Sequence, residues 1–394
     1  MSERRGMLRS LPATVWLLGA ISLLNDAASE LVYPLIPLYL ATVLGAGPRT
    51  LGAIEGAASA ASALLKLVSG LAYDRYGRAK PFIVVGYGLA AVARPAIAFV
   101  SVWPLLLALR VADRVGKGLR SSPRDALLAR SVDASMRGTA FGLHRAMDNA
   151  GAVIGPLIAA GLLALAVPVR DILLWAAVPG VLCVVLALVV REIPSAKMTA
   201  TTAPPPLEWT WRGLPADFKR LLAAVALFTC GDVSYAFFLL SAIEAGMPAT
   251  QVALLWATVA AAATLLALPL SRLSDRIGRT RQIAAGWTLY AAIFIALALA
   301  RDPVFLWPLA VLLGIYMAAT EGTERALIAD VVPPARLGAA YGWYYLVKGL
   351  LLLPASAAFG WLWHAAGAAT SFLVAAAIAV AAALLLQGWA GPDT

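Results

Sequence analysis

Charge, histidine and cysteine are all scarce in this 394-residue chain: 13% of residues are charged, and there are 2 His and 2 Cys. A soluble domain carries about 25% charged residues. Half that share excludes an ordinary water-soluble globule and a disordered chain. Cys183 and Cys230 fall in separate apolar runs, so neither a disulfide framework nor a zinc spacing with His144 and His364 can be read. A glycine-rich phosphate loop of the Walker type is also missing. The chain is therefore expected to be no enzyme, to need no cofactor and to hold no metal.

Apolar residues are what the sequence has in abundance, at 61%. A helix crossing the hydrocarbon layer needs about 20 of them in a row. Twelve such segments are expected, at roughly 13–41, 50–72, 81–101, 103–123, 139–166, 171–191, 218–241, 250–271, 282–300, 303–330, 337–362 and 366–389. The first follows a short basic stretch, and its length marks an uncleaved membrane helix rather than a signal sequence. Residues 192–217 include Thr201, Thr202, Pro204, Pro205 and Pro206 and cannot span a bilayer. They read as a semi-rigid linker between a six-helix bundle at 1–191 and a second at 218–394.

A net charge of +10 would point to nucleic acid in a soluble protein, but here the cations lie between apolar segments. With the N-terminus placed in the cytoplasm, loops on that side hold 18 Lys and Arg, among them Arg75, Arg78, Lys80, Arg276 and Arg279. The opposite loops hold 3, namely Arg49, Arg170 and Arg301. By the positive-inside rule both termini are cytoplasmic. The partner is the bilayer of a bacterial inner membrane, not nucleic acid.

The two halves repeat. Asp74-Arg75-Tyr-Gly77-Arg78, after segment 2, recurs as Asp275-Arg276-Ile-Gly278-Arg279 after segment 8. Asp125-Ala-Leu-Leu-Ala129 recurs 200 positions on as Arg325-Ala-Leu-Ile-Ala329, and Gly138-Thr-Ala-Phe-Gly142 as Gly338-Ala-Ala-Tyr-Gly342. Internal repeats of this kind build many secondary transporters.

On these residues the chain resembles the major facilitator superfamily over nearly its whole length, and in particular the drug/proton antiporters of bacteria. The resemblance implies an all-α membrane fold of twelve helices in two pseudo-symmetric halves, acting as a monomer. It also implies gating roles for Asp74, Arg75, Arg78, Asp275 and Arg276. Gly151-Ala-Val-Ile-Gly155-Pro156 in segment 5 is similar to the motif of the family's antiporters, with Ala159 and Ala160 where that motif closes on a glycine pair. Arg114-Val-Gly-Lys117-Gly118 in segment 4 is similar to another family motif, with Lys where Gln is usual, and Arg110 is a second candidate for its arginine.

Ionisable groups inside a bilayer are costly, so each is a functional candidate. In segment 4, Arg110, Asp113, Arg114, Lys117 and Arg124 fall on or near one helical face. Segment 1 carries Asp26 and Glu30 on one polar stripe with Ser22, Asn25, Ser29 and Tyr33. Low dielectric favours the neutral form of a carboxyl group, which makes proton exchange possible near neutral pH. Glu55, Arg145 and Asp148 complete the expected coupling and substrate cavity, and Arg145 with Asp148 is an i,i+3 pair. His144 reads as solvated near the cytoplasmic end. Tyr235, Phe237, Phe238, Trp343, Tyr344 and Tyr345 are expected to form one aromatic wall.

These features favour a proton-coupled carrier of a small organic compound working by alternating access, with export by proton antiport as the first reading. Proton-coupled import of an organic anion, lipid flipping and a non-transporting receptor are the rivals. A green fluorescent protein fused after residue 394 is expected to fluoresce in intact bacterial cells, and alkaline phosphatase at the same place to be inactive. The opposite pair of results would reverse the orientation.

Overall fold

The computed structural model describes residues 11–132, 137–192, 213–300, 302–332 and 337–389. Within them the chain is helical throughout: α1 (Ala13–Val32), α2 (Leu35–Thr42), α3 (Pro48–Tyr76), α4 (Lys80–Ala96), α5 (Trp103–Arg130), α6 (Arg137–Ala164), α7 (Val169–Trp175), α8 (Ala177–Val189), α9 (Ala216–Gly231), α10 (Ala236–Glu244), α11 (Ala249–Ile277), α12 (Arg279–Leu299), α13 (Leu306–Val331) and α14 (Leu337–Trp389). Two short 3-10 turns, Ile97–Phe99 and Pro303–Phe305, close α4 and open α13.

Ten stretches are long and apolar enough to cross a membrane. Twelve crossings follow from two physical details. First, α5 is 28 residues long, enough to cross, and owes its lower hydropathy to one charged face. Second, the last stretch, Ala340–Gly388, runs 49 residues. At about 1.5 Å per residue that is more than twice the roughly 30 Å of a hydrocarbon layer. It is broken at Gly367, whose φ of 86° and ψ of 165° are open to glycine alone, so α14 is two crossings joined by a tight kink.

The chain forms two compact units, Met1–Ile36 with Ala61–Thr202, and Pro37–Ala60 with Ala203–Thr394. The expected linker at 192–217 lies mostly outside the described residues. The stretch Pro37–Ala60, expected within the first bundle, groups with the second unit. Small residues explain this. A side-chain carbon on Gly52 would overlap the Ser356 carbonyl, and one on Gly56 would meet the Leu353 backbone at 2.8 Å. The start of α3 is thereby held backbone-to-backbone against α14. Segment 1 itself is interrupted at Tyr33-Pro34, where proline cannot continue the ladder of helical hydrogen bonds.

In the first unit α1 lies along α6, α4 along α5, and α8 against both α1 and α4. Val15, Leu18, Ile21, Ile83, Tyr87, Leu127 and Cys183 form its core. One close approach is between α1 and α6. A side-chain carbon on Gly155 would meet the Ala27 carbonyl oxygen at 2.5 Å and the Leu31 nitrogen at 2.7 Å, and one on Gly151 would overlap the Leu23 carbonyl. Small residues at such crossings let helix backbones approach where the hydrophobic effect supplies no drive. In the second unit α11 packs on α13, while α9 and α12 pack on α14.

Overpacking a close contact costs about 1–3 kcal/mol. Gly155→Leu is accordingly expected to lower the thermal midpoint of the purified protein. Gly161→Ala, at a position with nothing within 4 Å, is expected to leave it unchanged. A light-scattering or fluorescence melt in detergent reads both.

Candidate functional site

The crossing of α1 and α6 sets the central polar group of the first unit. Asp26 on α1 and Asp148 on α6 are hydrogen-bonded through their carboxyl groups. Ser22, one turn before Asp26, donates its hydroxyl to Asp148 Oδ1 at 2.6 Å. Arg145 Nη1 reaches Asp148 Oδ2 at 3.2 Å, one turn back along α6. Asn25 Nδ2 donates to Asp26 Oδ1 at 2.8 Å. The charge of Lys117 on α5 acts on both carboxyl groups, and its side chain is exposed while the carboxyl groups are half-buried. An ionised carboxylate is an acceptor only, so a hydrogen bond between two carboxyl groups requires a proton on one of them. With both ionised, two like charges would be in contact.

A second network pairs two arginines with one carboxylate. Arg94 Nε donates to Asp113 Oδ1 at 2.9 Å, and Arg94 Nη1 donates to the Asn25 backbone carbonyl at 3.0 Å and to Asn25 Oδ1 at 3.1 Å. Arg110 lies 3.7 Å from Asp113 Oδ2 and 6.0 Å from the centre of the Tyr33 ring. Arg94, Arg110 and Asp113 are all buried, at 3%, 2% and 1% exposure. A buried ion pair must be satisfied on every side or it destabilises the fold. Here one carboxylate sits between two guanidinium groups, and Asn25 ties that network to Asp26.

The structure thus brings Asp26, Asp148 and Arg145 into one group and Arg110 and Asp113 into another. Arg114 makes no ion pair within 4 Å among the described residues, and its charge is felt by Asp113 and Lys117. Arg94 holds the place on Asp113 that the helical spacing leaves open between Arg110 and Arg114. Glu30 is half-buried on the same helix as Asp26. Glu55 lies in the second unit, where it accepts a hydrogen bond from Ser234 Oγ at 3.3 Å. Arg78 and Arg276 are exposed, while the side chains of Asp74, Arg75 and Asp275 lie outside the described residues. Gly151 and Gly155 act through their lack of a side chain, and Pro156 follows them inside α6. His144 is buried, not solvated, and its Nε2 has no hydrogen-bond partner among the described residues.

In the second unit the dominant charge is Glu324 on α13, at 2% exposure. Its carboxylate accepts from Trp287 Nε1 at 3.2 Å, from Tyr344 Oη at 2.5 Å and from Lys348 Nζ at 3.2 Å. Its neighbour Arg325 turns away to Glu321, whose backbone carbonyl accepts from Arg325 Nε at 2.8 Å. The expected single aromatic wall is not formed. Phe237 is buried against Phe359 and Trp363, Tyr235 lies against Trp256, and Tyr344 sits on Glu324. The aromatic cluster instead joins Phe228, Trp287, Tyr290, Tyr316 and Phe294, with Phe228 stacked on Trp287 at 4.5 Å and Tyr290 on Phe294 at 4.0 Å. Its members come from three helices. The i, i+3, i+7 spacing of Trp287, Tyr290 and Phe294 along α12 is the part visible in the linear order.

These features agree with comparisons to known proteins. The model of the Major Facilitator Superfamily matches residues 18–243 and 220–393. An uncharacterized MFS-type transporter of Methanocaldococcus jannaschii is 30% identical over 385 residues, covering 96% of this chain and 95% of that one. The multidrug resistance protein MdtH of Photorhabdus laumondii is 27% identical over 345 residues, covering 84% and 82%. Among solved structures, the nucleoside transporter NupG has the same fold at 15% identity, with a TM-score of 0.83 over 96% of this chain and all of that one. A POT family transporter in complex with a thioalcohol conjugated peptide superposes with a TM-score of 0.79 at 13% identity, covering 97% of this chain and 99% of that one. With two membrane-embedded charge networks, no catalytic constellation among the described residues and a family model spanning both halves, the chain is a multi-pass secondary transporter that belongs to the Major Facilitator Superfamily.

Proposed function

We propose that this transporter exports a small organic compound in exchange for protons, and that the Asp26–Asp148 pair carries the proton. The observation that supports this most directly is the hydrogen bond between the two carboxyl groups across α1 and α6. That bond exists while the pair holds a proton and is lost when both groups ionise, so proton loss loosens one contact between two helices. Lys117, exposed beside the pair, stabilises the ionised form. A substrate that competes with the proton for the same carboxylates, or shifts Lys117 away from them, is linked to proton release by ordinary thermodynamic reciprocity.

Export is supported by the antiporter-like Gly151, Gly155 and Pro156, and by the likeness to a multidrug resistance protein. Organic-anion import has less support, because Arg94 and Arg110 are engaged with Asp113 and not held ready for a ligand. Alternating access, a monomeric state, an inner-membrane location and cytoplasmic termini complete this reading. Asp74, Arg75, Arg78, Asp275 and Arg276 keep the gating role proposed for them.

Reconstituted vesicles with an imposed pH gradient test the coupling. Asp26→Asn and Asp148→Asn are each expected to reduce gradient-driven uptake of a fluorescent test compound by about tenfold, within the range of ordinary coupling energies. Exchange of the compound at equal pH on both sides should survive. Parental gradient-driven transport in both variants would overturn the assignment. Arg94→Ala is expected to fail earlier, as loss of folded protein, because removing one partner of a buried pair costs about 3–5 kcal/mol. Thermal unfolding and yield after size exclusion separate the two effects.

A further inference from the structure

Segment 7 is not a continuous helix. It covers Ala216–Glu244, 29 residues in all, but α9 stops at Gly231 and α10 begins at Ala236. Asp232 has a φ of −82° and a ψ of 83°, far from helical values. No proline lies in residues 232–235, so the interruption is not the ordinary proline kink. Tyr290 from α12 holds it open: its hydroxyl donates to the Gly231 carbonyl at 2.8 Å and accepts from the Val233 amide at 3.3 Å. Irregular backbone at membrane depth is tolerated only where it is buried in protein or lines a watered cavity.

The interruption gathers negative charge. The C-terminal end of α9 carries the negative pole of the helix dipole and the start of α10 at Ala236 the positive one, and Asp232 stands at the α9 end. Glu324 is paired with Lys348, and Glu321 lies 4.0 Å from Arg325. Asp232 makes no ion pair within 4 Å among the described residues, and its hydrogen bond from the Tyr316 hydroxyl is 3.5 Å long. The charges that act on it are Lys348 on one side and Glu324 and Glu321 on the other. Negative charge is in surplus.

Aromatic side chains adjoin the same spot. The Tyr235 ring lies 6.0 Å from that of Trp256, the Tyr290 ring 5.0 Å from that of Tyr316, and the Tyr235 and Tyr316 side chains are hydrogen-bonded. Ring faces attract cations. A carboxylate, a helix C-terminus and aromatic faces share one kind of ligand.

We propose that the interruption of segment 7 binds a monovalent cation, with Asp232 as its counter-charge and Tyr235, Trp256 and Tyr316 as its walls. The cation is either the charged group of an organic substrate or an inorganic ion such as sodium; the chemistry of the site is common to both. The inference builds on the transporter reading above by naming the charge of what is carried. It is tested by equilibrium binding with no pH gradient, so failure of the Asp26–Asp148 coupling would leave its result untouched. Failure here would leave proton coupling standing with a substrate of another class.

The full-length protein, purified in detergent at one fixed pH, is titrated with radiolabelled tetraphenylphosphonium, with neutral triphenylphosphine oxide as the uncharged competitor. A second arm measures thermal stabilisation by sodium against N-methylglucamine at equal ionic strength. The parent protein is expected to bind the phosphonium saturably and to ignore the oxide. Asp232→Asn should weaken that binding by about tenfold, as loss of a close counter-charge in a low dielectric implies. Asp232→Glu should recover part of it, and the surface variant Asp217→Asn should match the parent. Stabilisation by sodium that disappears in Asp232→Asn, with no phosphonium binding, would support the inorganic ion. Binding of neither cation to the parent, or equal binding by parent and Asp232→Asn, would overturn the proposal.

Discussion

The approach of α1 to α6 is the contact on which the first unit's chemistry depends. Gly151 and Gly155 let the two backbones come together where any side chain would collide with the Leu23 and Ala27 carbonyls. At that separation Asp26 and Asp148 meet, and Ser22 reaches Asp148 at 2.6 Å. A wider gap would leave the two carboxyl groups to find separate partners. The glycine motif and the carboxyl pair are therefore one device seen at two levels, helix packing and side-chain chemistry.

Around that device the first unit spends its charges on one another. Asp113 pairs with Arg94 and lies 3.7 Å from Arg110 in the buried interior. Arg94 also ties the network to the backbone of α1 through the Asn25 carbonyl. Such a network is costly to assemble in a low dielectric and costlier to break. It holds α1, α4 and α5 in register while Lys117 stays exposed beside the carboxyl pair. The second unit follows another plan, with Glu324 satisfied by three donors beneath a cluster of stacked rings. One half handles charge by pairing it and the other by surrounding it with aromatic groups.

Low charge, twelve apolar runs, the asymmetry of basic loops and the repeats at an offset of 200 residues are all linear properties. They mark out a two-fold repeated bundle of membrane helices because a bilayer selects for segment length and composition, and both are written along the chain. The polar stripe of segment 1 and the charged face of segment 4 were legible for the same reason, since a helix places every third or fourth residue on one side.

Partnerships between helices were not legible. Asp113 lies three residues from Arg110 and one from Arg114, yet its shortest bond is to Arg94, 19 positions away. Asp26 and Asp148 are 122 positions apart, and nothing in the spacing of either helix selects the other. Tyr290, Tyr316 and Phe228 likewise converge only when α9, α12 and α13 are packed. The break at Asp232 has no proline to announce it, because a tyrosine on another helix supplies the hydrogen bonds that replace the helical ones. The sequence by itself determined which residues share a helical stripe and how often the chain crosses. The tertiary structure alone decided which of them meet, because contact between helices depends on the crossing distance and rotation that small residues permit.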